Sequence, residues 1–355
     1  MRELFRTESR ARLRTWLALG YTLFIVYGSL SPFSGWREQG LDFSEVLRAP
    51  FQLTYTGFDA VINLLAYLPF GFLVALTLRA RFGALLSVVL SLCIGLLLSA
   101  SMEYLQMYLP SRTSSNLDLM NNSAGALIGS LLAVSMASWT WLFSRLTRWR
   151  SQLFRHGHAM DFGLALIALW MFGQVNPSLP MLGNVFITEV AHHPFVPPHS
   201  ARFDALESGA VMLNLLMLGI LMLTLLREPR KVVTMMLTVL TLEALAKFIA
   251  AALLLKSWAL LLWINSAAML GMLLGVMLLM TILWLPRAVA IALGALVSLC
   301  YFVLVNFVLD SSAPSSAMSI YHWHYGHPPS FNGLAQTITL VFPLLLFHLW
   351  RIRKV

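Results

Sequence analysis

The apolar residues of this chain fall in long uninterrupted blocks, such as 82–107 and 258–285. That arrangement constrains the fold more than any single motif. A bilayer core about 30 Å thick takes roughly 20 apolar residues per helical span, so these blocks can cross it with tilt. No water inside a bilayer satisfies backbone groups, and segments without regular alternation cannot close a barrel. The expected fold is all-α, a polytopic transmembrane helical bundle of about ten spans. The spans are placed near 15–33, 57–78, 82–108, 117–143, 161–177, 205–226, 231–255, 258–284, 287–309 and 334–350.

A formal charge of +9 would suit a nucleic-acid partner if the basic residues were gathered together, but they sort by loop. The first segment carries Arg2, Arg6, Arg10, Arg12 and Arg14. Alternate loops carry Arg79 and Arg81, then Arg145, Arg148, Arg150 and Arg155, then Arg227, Arg230 and Lys231, then Arg287. The tail adds Arg351, Arg353 and Lys354. With an even number of spans all of these face one side, which the positive-inside rule makes cytoplasmic. Both termini are therefore expected there, and the basicity reads as topology and contact with membrane lipids, not as DNA binding. The N-terminal arginines before an apolar block resemble a signal peptide, but no small-residue cleavage pattern follows, so the block is kept as the first helix. Cys93 and Cys300 stand alone within expected spans, which argues against a disulfide framework or a cysteine metal site and gives them a packing role.

Two stretches of the chain run in parallel. Phe58-Asp59-Ala60 recurs as Phe203-Asp204-Ala205, Asn63-Leu64-Leu65 as Asn214-Leu215-Leu216, Glu103 as Glu243, and Asn122-Ser123-Ala124 as Asn265-Ser266-Ala267. Four helices separate the copies, so both would share one orientation, as parallel repeats do. The expected organisation is a four-helix unit over 1–150, a degenerate second unit over 151–285 and two added helices over 286–355. Chance similarity between Leu-rich helices is the alternative reading. The second copy lacks matches for Arg112 and Asp118, and Lys247 follows Glu243 by four residues, where an ion pair within one helix can neutralise it. It reads as structural, and the first copy carries the chemistry.

Charged groups inside a span cost at least about 2.5 kcal/mol, so an intramembrane carboxylate is a functional candidate. Ser99, Glu103 and Gln106 line one stripe of a helix by their spacing, and Asp59 and Asn63 line another. The short loop before residue 117 holds Arg112. Asp118, Asn122, Gly125 and Gly129 then follow on one face of the next helix, the two glycines allowing a neighbouring helix or a ligand to approach closely. All of these groups converge on the extracytoplasmic end of the bundle. Asp118 reads either as a ligand-facing carboxylate or as the partner of Ser115 in a capping box. Arg112 reads either as an anion grip or as an interfacial arginine reaching for lipid headgroups.

The set Glu103, Gln106, Pro110, Arg112, Asp118, Asn122, Gly125 and Gly129, with Tyr27, Pro32-Phe33, Asp59, Asn63 and Pro69-Phe70-Gly71 upstream, resembles the VanZ-like membrane protein family over roughly residues 15–140. Ser115 departs from the pattern, which commonly places an acidic residue there; either residue can cap a helix. The resemblance implies a cell-envelope protein of the bacterial cytoplasmic (inner) membrane, with resistance to teicoplanin-type glycopeptide antibiotics as the family's founding association.

Outside this cluster, His192, His193 and His199 gather in one loop and His322, His324 and His327 in another. No carboxylate or cysteine accompanies them at ligand spacing, so neither a metal nor a cofactor is expected. Residues 41–53, with Phe43, Val46, Leu47 and Phe51, suit a short interfacial anchor helix. The leading functional expectation is a non-enzymatic protein that binds an anionic lipid-linked envelope precursor, surface ligand or glycopeptide at the outer leaflet. Arg112 would grip the anion, and Glu103, Gln106, Asp118, Asn122, Asp59 and Asn63 would orient it. The alternatives are a membrane-embedded enzyme acting on an envelope lipid or glycan with Glu103 as general acid or base, and a transporter.

Overall fold

The structure, a computed structural model, describes residues 2–30, 33–40, 42–50, 57–137, 139–185, 205–309, 317–322 and 341–351. Among these residues the regular elements are all helices. The chain divides into two compact units, Met1–Ser151 and, with the C-terminal segment, Gln152–His324.

In the first unit, α1 (Arg2–Leu30) is followed by the short α2 (Phe43–Arg48), the long α3 (Gly57–Gln106), α4 (Asn116–Ala137) and α5 (Thr140–Leu153). One residue of α3 leaves helical geometry, Gly83 at φ 79°, a backbone conformation that glycine adopts without a Cβ penalty. There the chain reverses. Ser91 on the second limb donates its hydroxyl to the Gly71 carbonyl on the first at 3.0 Å. The spans expected at 57–78 and 82–108 are these two limbs.

α4 packs on the first limb backbone to backbone. An added Cβ at Gly125 or Gly129 would collide with the carbonyl oxygens of Leu64 or Leu68, and one at Gly71 with the backbone of Ala126. Small residues permit such contact where lipid tails remove the hydrophobic drive for helices to associate. α1 joins the same limb, Tyr21 donating to the Ala66 carbonyl at 3.0 Å and Arg14 to the Leu76 carbonyl at 3.3 Å.

The span expected at 117–143 stops at Ala137, and α5 follows as a separate helix. It exposes Trp141, Leu146 and Trp149 beside Arg145 and Arg148, with the Arg145 guanidinium 5.5 Å from the Trp149 ring centroid. Basic and aromatic residues side by side suit the membrane interface rather than its interior. Cys93 and Cys300 are both exposed, so their thiols do not fill the packing role expected of them.

The second unit is built around α7 (Ala205–Leu225), in which Asn214, Leu215, Met217, Leu218, Ile220 and Leu221 are fully buried. A helix apolar on every side belongs in the middle of a bundle. Around it lie α6 (His158–Gln174), α8 (Val232–Leu254), α9 (Ser266–Ile282), α10 (Arg287–Val303) and α11 (Val341–Arg351). Arg287 donates to the Leu223 and Thr224 carbonyls at 2.9 and 2.8 Å, supplying a cation to the last turn of α7.

The α9–α7 contact repeats the register of α4 on α3. Gly275 faces Leu215 as Gly125 faces Leu64, and one turn on Leu279 lies over Gly219 where Gly129 meets Leu68. The glycine has changed helices and the close approach is kept. Asn265 caps α9 through a 2.7 Å bond from Ala268 N–H, the place that Ser115 holds before α4. Asn265 therefore stands about two turns earlier in its helix than Asn122, the residue it was paired with by sequence.

Five described helices are long and apolar enough to cross a membrane: Ala60–Gln106, which contains the Gly83 reversal, Asn116–Ala137, Ala205–Leu225, Pro229–Leu254 and Arg287–Val308. The expectation of about ten counted the two limbs of α3 separately and also counted α1, which is not among the five, and α6, α9 and α11, each of 17 residues or fewer.

Candidate functional site

In the first unit, polar side chains from both limbs of α3 and from α4 meet inside the bundle. Asn63 donates from Nδ2 to Asp118 Oδ1. Asn122 donates from Nδ2 to Ser99 Oγ at 2.9 Å. Glu103 Oε2 accepts from the Ser115 backbone N–H at 2.8 Å. The Asp118 carboxyl lies close enough to act electrostatically on Glu103 and on Tyr67. Ser99, Glu103, Asp118 and Asn122 are all buried.

Ser115 fixes the geometry. Its hydroxyl accepts from Leu117 N–H at 3.1 Å and caps α4, while its own N–H holds Glu103. In a capping box that N–H would go to Asp118; here it goes to Glu103, which leaves Asp118 to hold Asn63. A serine at this position thus caps the helix and orients the glutamate with one backbone and one side-chain group.

One atom in this interior, Asn122 Oδ1, makes no hydrogen bond within the described residues, while the Tyr67 hydroxyl adjoins Ser99. Leaving a buried polar group unsatisfied costs about 1–3 kcal/mol, so such an atom is where a ligand or water gains most. Tyr67 was missed by the sequence reading. Its signal was its place four residues after Asn63, on the same helix face.

Arg112 and Gln106 reach the end of α1. Arg112 donates from Nη2 to the Gly28 carbonyl at 3.1 Å, and Gln106 from Nε2 to the Ser29 carbonyl at 2.9 Å. Carbonyls in a last helical turn have no partner within the helix, and a cation is favoured beside them. Burial lowers the Arg112 pKa from its ordinary value, but a guanidinium stays charged. The structure thus brings Asn63, Glu103, Asp118 and Asn122 together and ties Arg112 and Gln106 to α1. The Asp59 side chain lies outside the described residues.

Around the loop end of α3, Phe43 of α2 meets Tyr104 edge-on with centroids 5.7 Å apart, and the Tyr104 and Tyr108 hydroxyls are 3.0 Å apart. Asn116 at the start of α4 donates to the Ala49 carbonyl at 2.7 Å, which holds the end of α2 beside the site. α2 is shorter than the anchor expected over 41–53.

In the second unit, Asn214, matched by sequence to Asn63, is satisfied by the chain itself. Its Oδ1 accepts from Trp170 Nε1 at 3.1 Å and its Nδ2 donates to the Leu182 carbonyl at 3.0 Å. Glu207 accepts from Asn184 N–H at 2.9 Å. Lys247 does not spend its protons on Glu243: they go to the carbonyls of Asn176, Leu179 and Pro180 at 2.8, 3.0 and 3.3 Å. The irregular segment after α6 therefore fills this unit from within. His192, His193, His199, His324 and His327 lie outside the described residues, and among the described residues no group of three or more His, Cys, Asp or Glu is placed to hold a metal ion.

Residues 8–139, the stretch that holds most of α1 and all of α2 to α4, match the protein family described as VanZ/LLP1. No curated protein and no solved structure matches the chain.

Proposed function

We propose that this VanZ-like membrane protein uses its N-terminal unit to bind an anionic lipid-linked or surface-bound envelope ligand at the outer leaflet of a bacterial cytoplasmic membrane, with both chain termini on the cytoplasmic side. The observation that carries the reading is the buried Asn122 Oδ1, without a hydrogen bond within the described residues, one helical turn from Asp118 and tied through Ser99 to the helix limb that bears Glu103. That oxygen is an acceptor, and the Glu103 and Asp118 carboxyls adjoin it on the same two helices. Hydroxyl- or amino-bearing groups, such as the sugar of a lipid-linked precursor, complement that set. Arg112, oriented by the Gly28 carbonyl, meets the anionic group in two-pronged fashion. Resistance to teicoplanin-type glycopeptides is the phenotype this reading attaches to the site.

A second reading is a membrane-embedded enzyme with Glu103 as general acid or base. It is favoured by the neighbouring Asp118 carboxyl and by the Ser115 N–H that holds Glu103 in place. Residues 151–285 read as a degenerate second copy followed by two added helices, a reading supported by the shared register of Gly125 on Leu64 and Gly275 on Leu215.

Native mass spectrometry of the gently extracted full chain tests the binding reading. Wild type and Glu103→Gln are expected to carry an anionic lipid or lipid-linked sugar that Arg112→Ala has lost. Equal retention in all three would reduce the cluster to helix packing. Turnover of such a lipid by wild type, abolished in Glu103→Gln with binding retained, would select the enzyme.

A further inference from the structure

The second unit contains a cation held by backbone oxygens. α6 ends at Gln174, and the segment after it turns back into the unit with Asn176, Ser178, Leu179 and Leu182 buried. Irregular backbone is tolerated at membrane depth only where protein surrounds it or a cavity is lined by it. Here the Asn176 side chain accepts from Ser178 N–H at 3.1 Å and from Ser178 Oγ at 2.7 Å, and Tyr321 Oη lies 3.1 Å from Ser178 Oγ. These bonds leave the carbonyls of Asn176, Leu179 and Pro180 turned toward a single point.

That point is occupied by the Lys247 ammonium, whose three protons match the three carbonyls at 2.8, 3.0 and 3.3 Å. Lys247 is fully buried. One turn earlier on α8 stands Glu243, also fully buried, and both of its carboxyl oxygens lack a hydrogen-bond partner among the described residues. The Lys247 ammonium is close enough to act on it electrostatically.

We propose that Asn176, Leu179 and Pro180 supply the oxygen ligands, and Glu243 the counter-charge, of a monovalent alkali-cation site in which the tethered Lys247 ammonium is the resident cation. Carbonyls of unwound backbone following a helix C-terminus, with a carboxylate nearby, are the donors from which membrane proteins build alkali-cation sites. An ammonium on a four-carbon stem is a compact point charge that can stand in for such an ion. The unit is thereby closed between α6 and α8 without drawing an ion from solution. Removing the ammonium while keeping the carbonyls opens the site to sodium or potassium. This inference concerns the second unit alone and does not depend on the ligand of the first.

The test is thermal unfolding of the purified full-length protein as wild type, Lys247→Met and Lys247→Met/Glu243→Gln. Each is titrated at equal ionic strength with sodium chloride, potassium chloride or choline chloride. Wild type is expected to unfold alike in all three salts. Lys247→Met is expected to show a saturable rise in unfolding temperature with sodium or potassium that choline does not produce, and the double variant to lose it. If Lys247→Met is too unstable to purify in choline, its recovery in sodium or potassium is the same result. A Lys247→Met protein that responds equally to all three salts, or that no salt recovers, overturns the proposal.

Discussion

Arg112 donates to the carbonyl of Gly28 across 3.1 Å, fastening the loop before α4 to the last turn of α1. The bond assigns the arginine a structural duty alongside any duty to a ligand, and substitutions separate the two. Arg112→Lys keeps a cation by the helix end but loses the planar fork. It is expected to retain unfolding temperature nearly at the wild-type value while weakening capture of an anionic lipid several-fold. Arg112→Ala should lose both, with a stability cost of about 1 kcal/mol, the scale of polar contacts within membranes. Thermal unfolding read beside lipid retention on the same samples gives the answer, and parallel losses in both variants would leave only the structural duty.

Glycine at 129 and glycine at 219 hold equivalent approaches of different kinds. A Cβ at Gly129 meets the Leu68 backbone, which cannot yield without moving a helix, whereas one at Gly219 meets the Leu279 side-chain end at 2.6 Å. Gly129→Ala is expected to cost about 3 kcal/mol or more, in the range of a core overpacked against rigid neighbours. Gly219→Ala should cost about 1 kcal/mol or less, since Leu279 can change rotamer. Yield of monodisperse protein and its unfolding temperature measure the contrast. Equal costs would mean that the two contacts are alike in stiffness.

Glu103 is held by the Ser115 N–H at 2.8 Å. A glutamine presents a carbonyl oxygen to the same donor, so Glu103→Gln should stay within about 1 kcal/mol of wild type. Glu103→Ala strands a buried N–H and should lose about 1–3 kcal/mol. If the carboxylate also serves a reaction, Glu103→Gln is the folded variant that keeps the ligand and loses turnover. Chemical or thermal denaturation of the pair checks the structural half, and an unstable Glu103→Gln would show that the charge itself holds the fold.

Much of this site was legible because charge is scarce in apolar helices: Glu103, Asp118 and Arg112 stand out from their neighbours, and the four-residue spacing of Asp118 and Asn122 placed them on one face. Tyr67 was overlooked because a tyrosine in a span carries no charge to mark it, although Asn63 four residues earlier pointed to it. Arg112 was expected to meet an anion or the lipid headgroups. Its bond to Gly28 involves a backbone oxygen 84 residues away, for which the sequence has no letter. The same blindness hid the segment after α6, whose carbonyls hold Lys247, and led Lys247 to be paired with Glu243 by spacing alone. The end of α4 was missed because Trp139, Trp141 and Leu142 extend the apolar run past Ala137, where a new helix begins.

The remaining prediction concerns sidedness, which the distribution of arginines implies and which places the Glu103 cluster at the outer face. Ser111 lies in the loop beside Arg112, and Ser144 lies on α5 next to Arg145; both are exposed. Because Cys93 and Cys300 are exposed thiols, they are first replaced by serine to give a silent background. Single cysteines at Ser111 and Ser144 are then offered a membrane-impermeant maleimide in intact cells. Ser111→Cys is expected to label at once, and Ser144→Cys only after permeabilisation, because clustered arginines are retained on the cytoplasmic side. Labelling of Ser144→Cys alone would invert the topology and turn the carboxylate cluster toward the cytoplasm, where an outer-leaflet ligand could not reach it.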